Sequence, residues 1–214
     1  DLYLVNYSED LAHKVMSNLS TYDAVTKVQL IQSALKLAEG GLSEYADLVG
    51  LLANCRNESS KVVNTAISQA LNALKIFIDE ASESETEFKS FVDQLFNAQY
   101  KRLGWDKISG ESFNDEQLRV LPISWEVYAE DADALAKASE MFEAHNSDIH
   151  SIPADIRQVV LKNQIVKKES DALIKQYIDA YAKTTDQTFQ RELNVALSST
   201  KNKETVTYII KQYH

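Results

Sequence analysis

The stretch Ser60-Lys-Val-Val-Asn-Thr-Ala-Ile-Ser-Gln-Ala-Leu-Asn-Ala-Leu-Lys-Ile-Phe-Ile-Asp-Glu80 decides the fold class. Val63, Ala66, Ile67, Ala70, Leu71, Leu74, Phe77 and Ile78 recur at helical spacing, which predicts a helix with an apolar stripe wide enough to pack on two sides. Such a helix must be enclosed by other elements, and the supply of turn formers says which. The 214 residues include five glycines and two prolines, where average usage would give about twenty-five of the two together. All-β sandwiches and barrels need glycine and proline at their many tight turns, so they are excluded. No G-x-G-x-x-G or G-x-x-x-x-G-K-[ST] is present, which disfavours a nucleotide-binding parallel sheet. The chain reads as all-α.

Outward from this helix, start and stop signals follow one another closely. Ser8 opens a short helix to about Leu19. A second, from about Tyr22 to Ala38, carries Val25, Val28, Ile31, Leu35 and Ala38 on one stripe and stops at Gly40-Gly41. Ser43 caps a short helix through Leu52. Ser84-Glu85-Thr86-Glu87 matches a capping box before a helix that turns Phe88, Phe91, Val92, Leu95 and Phe96 inward. Gly104 to Phe113 is a longer loop, after which Asn114 caps a helix that Pro122 should kink or divide. Asp131 begins a helix ending near His145, and Pro153 suits the first position of the next. Ser170, Asp186 and Asn202 start the last three. An offset of 33 residues maps Ile156 onto Phe189, Val160 onto Leu193, Leu173 onto Val206 and Tyr177 onto Ile210. This suggests an α-solenoid of antiparallel hairpins of HEAT or armadillo type, some eleven helices in all.

Leu2-Tyr3-Leu4-Val5-Asn6-Tyr7 is the one strand-like run. A lone strand needs partners, so residues 1–7 read as the end of a preceding β-domain or linker and 8–214 as a helical C-terminal domain. The first residue is Asp1 and the first methionine Met16, which supports reading the chain as a processed product or a piece of something longer.

The net charge of −10 argues against a general nucleic-acid binder. The charge is uneven: residues 1–150 hold 12 Lys/Arg against 25 Asp/Glu, and residues 151–214 hold 10 against 7. The excess of positive charge at the C-terminal end is read as ordinary solvated helix faces or as a surface turned toward something acidic. There is no run long and apolar enough to span a membrane and no signal peptide, and the single cysteine, Cys55, excludes an internal disulfide. These features predict a cytoplasmic protein.

Catalytic constellations are sparse. The four histidines, His13, His145, His150 and His214, contain no i, i+4 pair for zinc. His145 and His150, with Asp148 between them, are read as surface loop residues before a metal site. Cys55 beside Arg56 could be a lowered-pKa nucleophile, but a small buried hydrophobe is the simpler reading. Carboxylate pairs such as Glu130/Asp131 and Asp131/Asp133 are too common in an acidic chain to mark a site. Tyr177, Tyr181, Tyr208 and Tyr213 either line a ligand surface or pack between helices.

Several segments, in order along nearly the whole chain, resemble the C-terminal helical domain of the aminopeptidase N family of zinc metallopeptidases (membrane alanyl aminopeptidase type). Tyr3-Leu4-Val5-Asn6-Tyr7 resembles its "Y-x-V-N-Y" strand. Lys27-Val28-Gln29-Leu30-Ile31 through Ala34, Leu37 and Ala38 resembles "R-x-Q-L-x-x-D-A-x-x-L-A", with Lys27 for the arginine and Ser33 for the aspartate. Leu118-Arg119 is similar to an "L-R" segment before a short Gly-Asp turn, here Glu130-Asp131. Ile152-Pro153-Ala154-Asp155-Ile156-Arg157 resembles "I-P-x-x-L-R", and Leu193-Asn194-Val195-Ala196-Leu197 resembles "L-L-x-A-L".

The resemblance implies a HEAT-like superhelix of a bacterial cytoplasmic enzyme that removes N-terminal residues from peptides. It places the H-E-x-x-H zinc site in an upstream domain, so that this chain holds no catalytic or metal residue of its own. The domain would cap the catalytic cavity and control substrate access. Its partners would be its own upstream catalytic and β-domains and, in the full-length protein, peptide substrates; neither nucleic acid nor membrane is implied. Arg119 and Arg157 match recurring arginines, with structural ion pairing the first role and peptide contact the second. A free-standing helical-repeat scaffold for protein interactions is the alternative.

Overall fold

A computed structural model of the chain describes residues 9–212, and among them every regular element is an α-helix or a 3₁₀ turn. The strand-like run at 2–7 and the Ser8 cap lie outside the described residues. The chain divides into two compact units, Asp1–Ala129 and Glu130–His214.

The first unit contains α1 (Glu9–Ser17), α2 (Ala24–Glu39), α3 (Tyr45–Ala53), α4 (Lys61–Leu74), α5 (Glu83–Leu103), α6 (Phe113–Leu118) and α7 (Val120–Ala129). The stripe read from the sequence is its centre: Val63, Ala66, Ile67, Ala70 and Leu71 are buried, together with Ile31, Leu48, Leu52, Val92, Leu95 and Phe96. Each fully buried large aliphatic or aromatic side chain contributes about 1.5–3 kcal/mol. Trp125 of α7 stacks on Phe96 of α5 at 5.9 Å, and its indole N–H donates to Ser68 Oγ of α4 at 2.8 Å. One buried hydrogen bond thus ties the last helix of the unit to its central one.

Several helix boundaries differ from the sequence reading for local reasons. The central helix gives way at Leu74 to a 3₁₀ turn, Lys75–Phe77, which leaves Phe77 58% exposed instead of on the buried stripe. Val25 is 66% exposed, because Asp23 caps α2 and puts Val25 on the outer face of its first turn. Glu44 rather than Ser43 occupies the N-cap of α3. The box before α5 falls two residues earlier: Ser82 Oγ accepts from Glu85 N–H at 3.1 Å, and Glu85 Oε2 reaches back to Ala81 N–H at 2.7 Å. Pro122 does divide its helix, but the break falls at Arg119. The proline cannot donate to the Leu118 carbonyl four residues back, so α6 stops at Leu118. Ser112 caps α6. Asn114 instead serves α4, its Oδ1 accepting from Lys61 N–H at 2.9 Å while its Nδ2 donates to Ser59 O at 2.9 Å.

The second unit contains α8 (Ala132–Ala144), α9 (Ala154–Lys168), α10 (Asp171–Lys183), α11 (Gln187–Leu197) and α12 (Lys203–Gln212). The caps at Asp131, Ser170, Asp186 and Asn202 all accept backbone N–H bonds where the sequence places them. Pro153 takes the N-cap of α9 rather than its first helical position. α9 packs against both α8 and α11, burying Ile156, Val160, Phe189 and Leu193. The 33-residue correspondence holds for those four residues and fails in the next pair of helices. Leu173 and Tyr177 are buried, whereas Val206 and Ile210 are 40% and 53% exposed. α12 is turned so that Thr205 faces inward, where its hydroxyl donates to Glu169 Oε1 at 2.6 Å. Thr200 donates to the other oxygen of the same carboxylate at 2.6 Å.

Candidate functional site

The two arginines singled out in the sequence are both interior residues. Arg119 sits between α6 and α7 and is 1% exposed. Its guanidinium donates to the Leu103 carbonyl, to Gly104 O at 3.3 Å and to the Glu111 carboxylate. It therefore neutralises the C-terminal end of α5 and pins the loop that follows. Two further ion pairs hold the same loop region, Arg102–Asp115 at 2.6 Å and Lys107–Glu116 at 2.7 Å. Lys27, at the position of the family's arginine, pairs with Glu58 at 2.7 Å. The other Glu58 oxygen accepts from Ser59 N–H and Ser60 N–H ahead of α4.

Arg157 of α9 is 6% exposed and faces Glu192 of α11, itself 4% exposed. Nη1 donates to Glu192 Oε2 at 3.1 Å and Nε to Ile152 O at 3.0 Å. The guanidinium also lies 5.1 Å from the centre of the Phe189 ring. Burial pushes the Glu192 carboxyl above the usual carboxylate range, with Arg157 pulling the other way. Both arginines have the partners and burial of structural cations.

The residues that do face a cavity are different ones. A cleft of about 630 Å³ in the second unit is lined by the 145–153 connector, α10 and the start of α11. Asp186, the cap of α11, holds two of its lining residues, His150 and Phe189. Oδ1 accepts from Thr188 N–H and Phe189 N–H at 2.9 and 3.3 Å, and Oδ2 accepts from His150 Nε2 at 3.0 Å. The hydrogen bond from His150, followed by that from Phe189 N–H, lowers the Asp186 carboxyl below its ordinary value. The His150 ring rests 4.5 Å from that of Phe189. Phe189 thus touches both the cleft histidine and the buried Arg157. On the α10 wall stand Lys175, Asp179 and Lys183, one helical turn apart. The two lysines form no ion pair among the described residues.

This arrangement can bind but does not assemble a nucleophile. A Ser–His–Asp relay would need a hydroxyl on His150. The nearby Ser151 instead donates to Asp148 O at 2.6 Å and is bonded by His145 Nδ1 at 2.7 Å. His145 and His150 therefore have separate partners, and no metal-ligating group containing a histidine or Cys55 comes together among the described residues. The side chain of His13 and all of His214 lie outside those residues. The donor set described here does not fit zinc. Cys55 is buried, and burial first, then the charge of Glu58, pushes its thiol up to about 12, which removes it as a thiolate nucleophile. Of the tyrosines, Tyr177 is fully buried and donates to Leu161 O at 3.1 Å, Tyr208 is 44% exposed, and Tyr213 is outside the described residues. No helix of the described residues is long and apolar enough to cross a membrane.

The sequence reading missed the His150–Asp186–Phe189 cluster. Asp186 was legible as a cap, but its histidine partner lies 36 residues away. Comparison with known proteins adds what the cleft alone cannot supply. The family model described as ERAP1-like C-terminal domain matches residues 2–213. The chain is 43% identical over 211 residues to Aminopeptidase N of Lactococcus lactis subsp. lactis (strain IL1403), which covers 99% of this chain and 25% of that protein. It is 31% identical over 211 residues to Aminopeptidase N of Lactobacillus helveticus, with the same coverage. It is 26% identical over 161 residues to Aminopeptidase 2, mitochondrial, of Saccharomyces cerevisiae, covering 74% of this chain and 17% of that protein. The chain thus spans about a quarter of the length of its bacterial relatives.

Proposed function

The chain belongs to the ERAP1-like C-terminal domain family, and from that membership we propose that it is the C-terminal domain of a zinc aminopeptidase that removes N-terminal residues from peptides. The observation that carries the reading is the match over 99% of this chain to a quarter of an aminopeptidase N. The zinc ion and its ligands belong to the remaining polypeptide, where the metal would activate the attacking water. This domain's contribution is shape: helices stacked as a HEAT-like superhelix cap the catalytic cavity and limit which peptides approach. The cleft beside α10 supports a peptide-contact role, because Lys175 and Lys183 line it and enter no ion pair among the described residues. Arg119 and Arg157 act in the interior, holding a loop and two helices in place. A cytoplasmic location fits the single buried cysteine.

The test is made in the parent enzyme. Deleting residues 8–214, or replacing both cleft lysines as K175E/K183E, should leave kcat/KM for a one-residue chromogenic amide within about threefold. Deletion should abolish the preference for short over long peptides, and the lysine variant should raise KM for longer peptides with little change in kcat. Unchanged length preference in the deletion overturns the capping role. Release of amino acids by the isolated chain supplied with zinc, abolished by a chelator, would place the chemistry in this domain after all.

A further inference from the structure

The charged groups that the connector and the α11 cap bring to the cleft are already engaged. The Asp186 carboxylate holds His150 Nε2 and two backbone N–H groups, and Asp148 Oδ1 accepts from His150 N–H at 3.2 Å. The charges on α10 are not. Lys175, Asp179 and Lys183 line the cleft and are exposed, and their side chains enter no hydrogen bond or ion pair among the described residues. Opposite charges four residues apart on a helix commonly pair. Here they stand apart, so one wall of the cleft carries a row that runs positive, negative, positive. Successive members are separated by a rise of about 6 Å, and the row spans about 12 Å. All three residues line the same cleft, so the row stays on its open side throughout.

We propose that Lys175, Asp179 and Lys183 read an extended peptide that carries acidic, basic and acidic side chains at alternate positions. Side chains two residues apart on an extended chain lie on one face, about 6.7 Å apart. Across three charges this departs from the α10 row by only about 1.4 Å, which the flexible lysine stems take up. Length and charge choose this occupant. A free amino acid is too short to meet all three groups. A nucleic acid would set its phosphates against Asp179, in a chain of net charge −10. A helical ligand would match the spacing, but isolated helices shorter than about 12–15 residues are marginal in water, so short peptides arrive extended. The inference rests on the reading of this cleft as a peptide contact. It deepens that reading by adding Asp179 to the two lysines and by naming the class of peptide they select.

Peptide kinetics in the full-length parent enzyme test the assignment. The matched block is Glu-x-Lys-x-Glu, with x uncharged, and its control holds the same residues as Glu-Glu-Lys-x-x. Both are placed behind uncharged leaders of increasing length. Exposed ion pairs are each worth a factor of roughly 1.4–5, so three should lower KM for the matched peptide at least about threefold at the leader length that reaches the cleft. The value of kcat should not change. The variant K175E/D179K/K183E keeps the row alternating and should transfer the preference to Lys-x-Glu-x-Lys over its own contiguous control. Equal KM for matched and control peptides at every leader length would overturn the proposal, as would a preference that the reversal leaves in place. A lower KM for the same charges spaced every fourth residue would also overturn it, since the bound peptide would then be helical. The two readings fail differently. If the reversal shifts KM equally for matched and control peptides, the cleft touches peptide without reading its spacing; if it shifts KM for no longer peptide, the peptide contact itself is lost.

Discussion

Replacing Arg157 by methionine keeps most of the side chain's apolar volume and removes the cation that is hydrogen-bonded to Glu192. The carboxylate is 4% exposed and loses a 3.1 Å charge-assisted hydrogen bond, and Ile152 O loses its 3.0 Å donor. Leaving one member of a buried pair uncompensated costs about 3–5 kcal/mol, which for a chain of this length lowers the melting temperature by roughly 6–20 °C. Glu192 has one escape, protonation. Burial already holds its pKa above the ordinary value, and without Arg157 the shift grows. A carboxyl whose folded pKa exceeds its unfolded one contributes stability at low pH that is lost as pH rises. The R157M penalty should therefore be smaller at pH 5 than at pH 8. The double variant R157M/E192L, which buries no charge, should recover at least about 2 kcal/mol relative to the sum of the single losses. Urea unfolding followed by far-UV ellipticity reads this out, because both tryptophans, Trp105 and Trp125, lie in the first unit. A cost for R157M below about 1 kcal/mol at pH 8, or simple additivity in the double variant, would refute the argument.

Glu169→Ala removes the common acceptor of Thr200 and Thr205, so amide exchange in α12 should accelerate tenfold or more while α9 keeps its protection; equal acceleration in both would mean that Glu169 supports the whole unit. Cys55, with its thiol raised to about 12 by burial, should resist a disulfide reagent at pH 8 in the native chain and react fully in urea; fast native labelling would contradict its placement. Asp115 is held at about 2, chiefly by its hydrogen bond from Arg102, so it contributes stability above its unfolded pKa that is lost as pH falls toward 2. R102M should flatten that part of the acid limb in pH-dependent denaturation, and an unchanged limb would show that the pair contributes nothing.

Much of the second unit was legible in the chain, because its devices are local. Ser170, Asp186 and Asn202 each cap a helix within three residues of themselves, and short-range capping is what a sequence displays. The stripe from Val63 to Leu74 was equally plain. Its end was not: Phe77 and Ile78 continue the apolar spacing, but after Leu74 the chain leaves the helix, and no residue type announces that. Asn114 had the chemistry of a cap and was assigned to the helix it begins, whereas it serves one more than fifty residues earlier. The two arginines stood out as motif residues, yet a motif does not say whether a guanidinium faces a ligand or a carbonyl. The cleft was least legible, since its lining residues His150, Lys175 and Phe189 come from three segments that only packing brings together.

The Asn114 clasp has a consequence for synthesis. During translation α4 emerges more than fifty residues before the side chain that completes its N-terminus, so for several seconds at typical elongation rates Lys61 N–H has no acceptor from Asn114. The central helix of the first unit is thus made early and finished late. Ribosome-bound chains stalled before and after Asn114 emerges should differ in protease resistance at Ser59–Lys61, and equal resistance would show that the clasp plays no part in the order of assembly. Until that point, the buried central helix of the first unit lacks one of the bonds at its N-terminus.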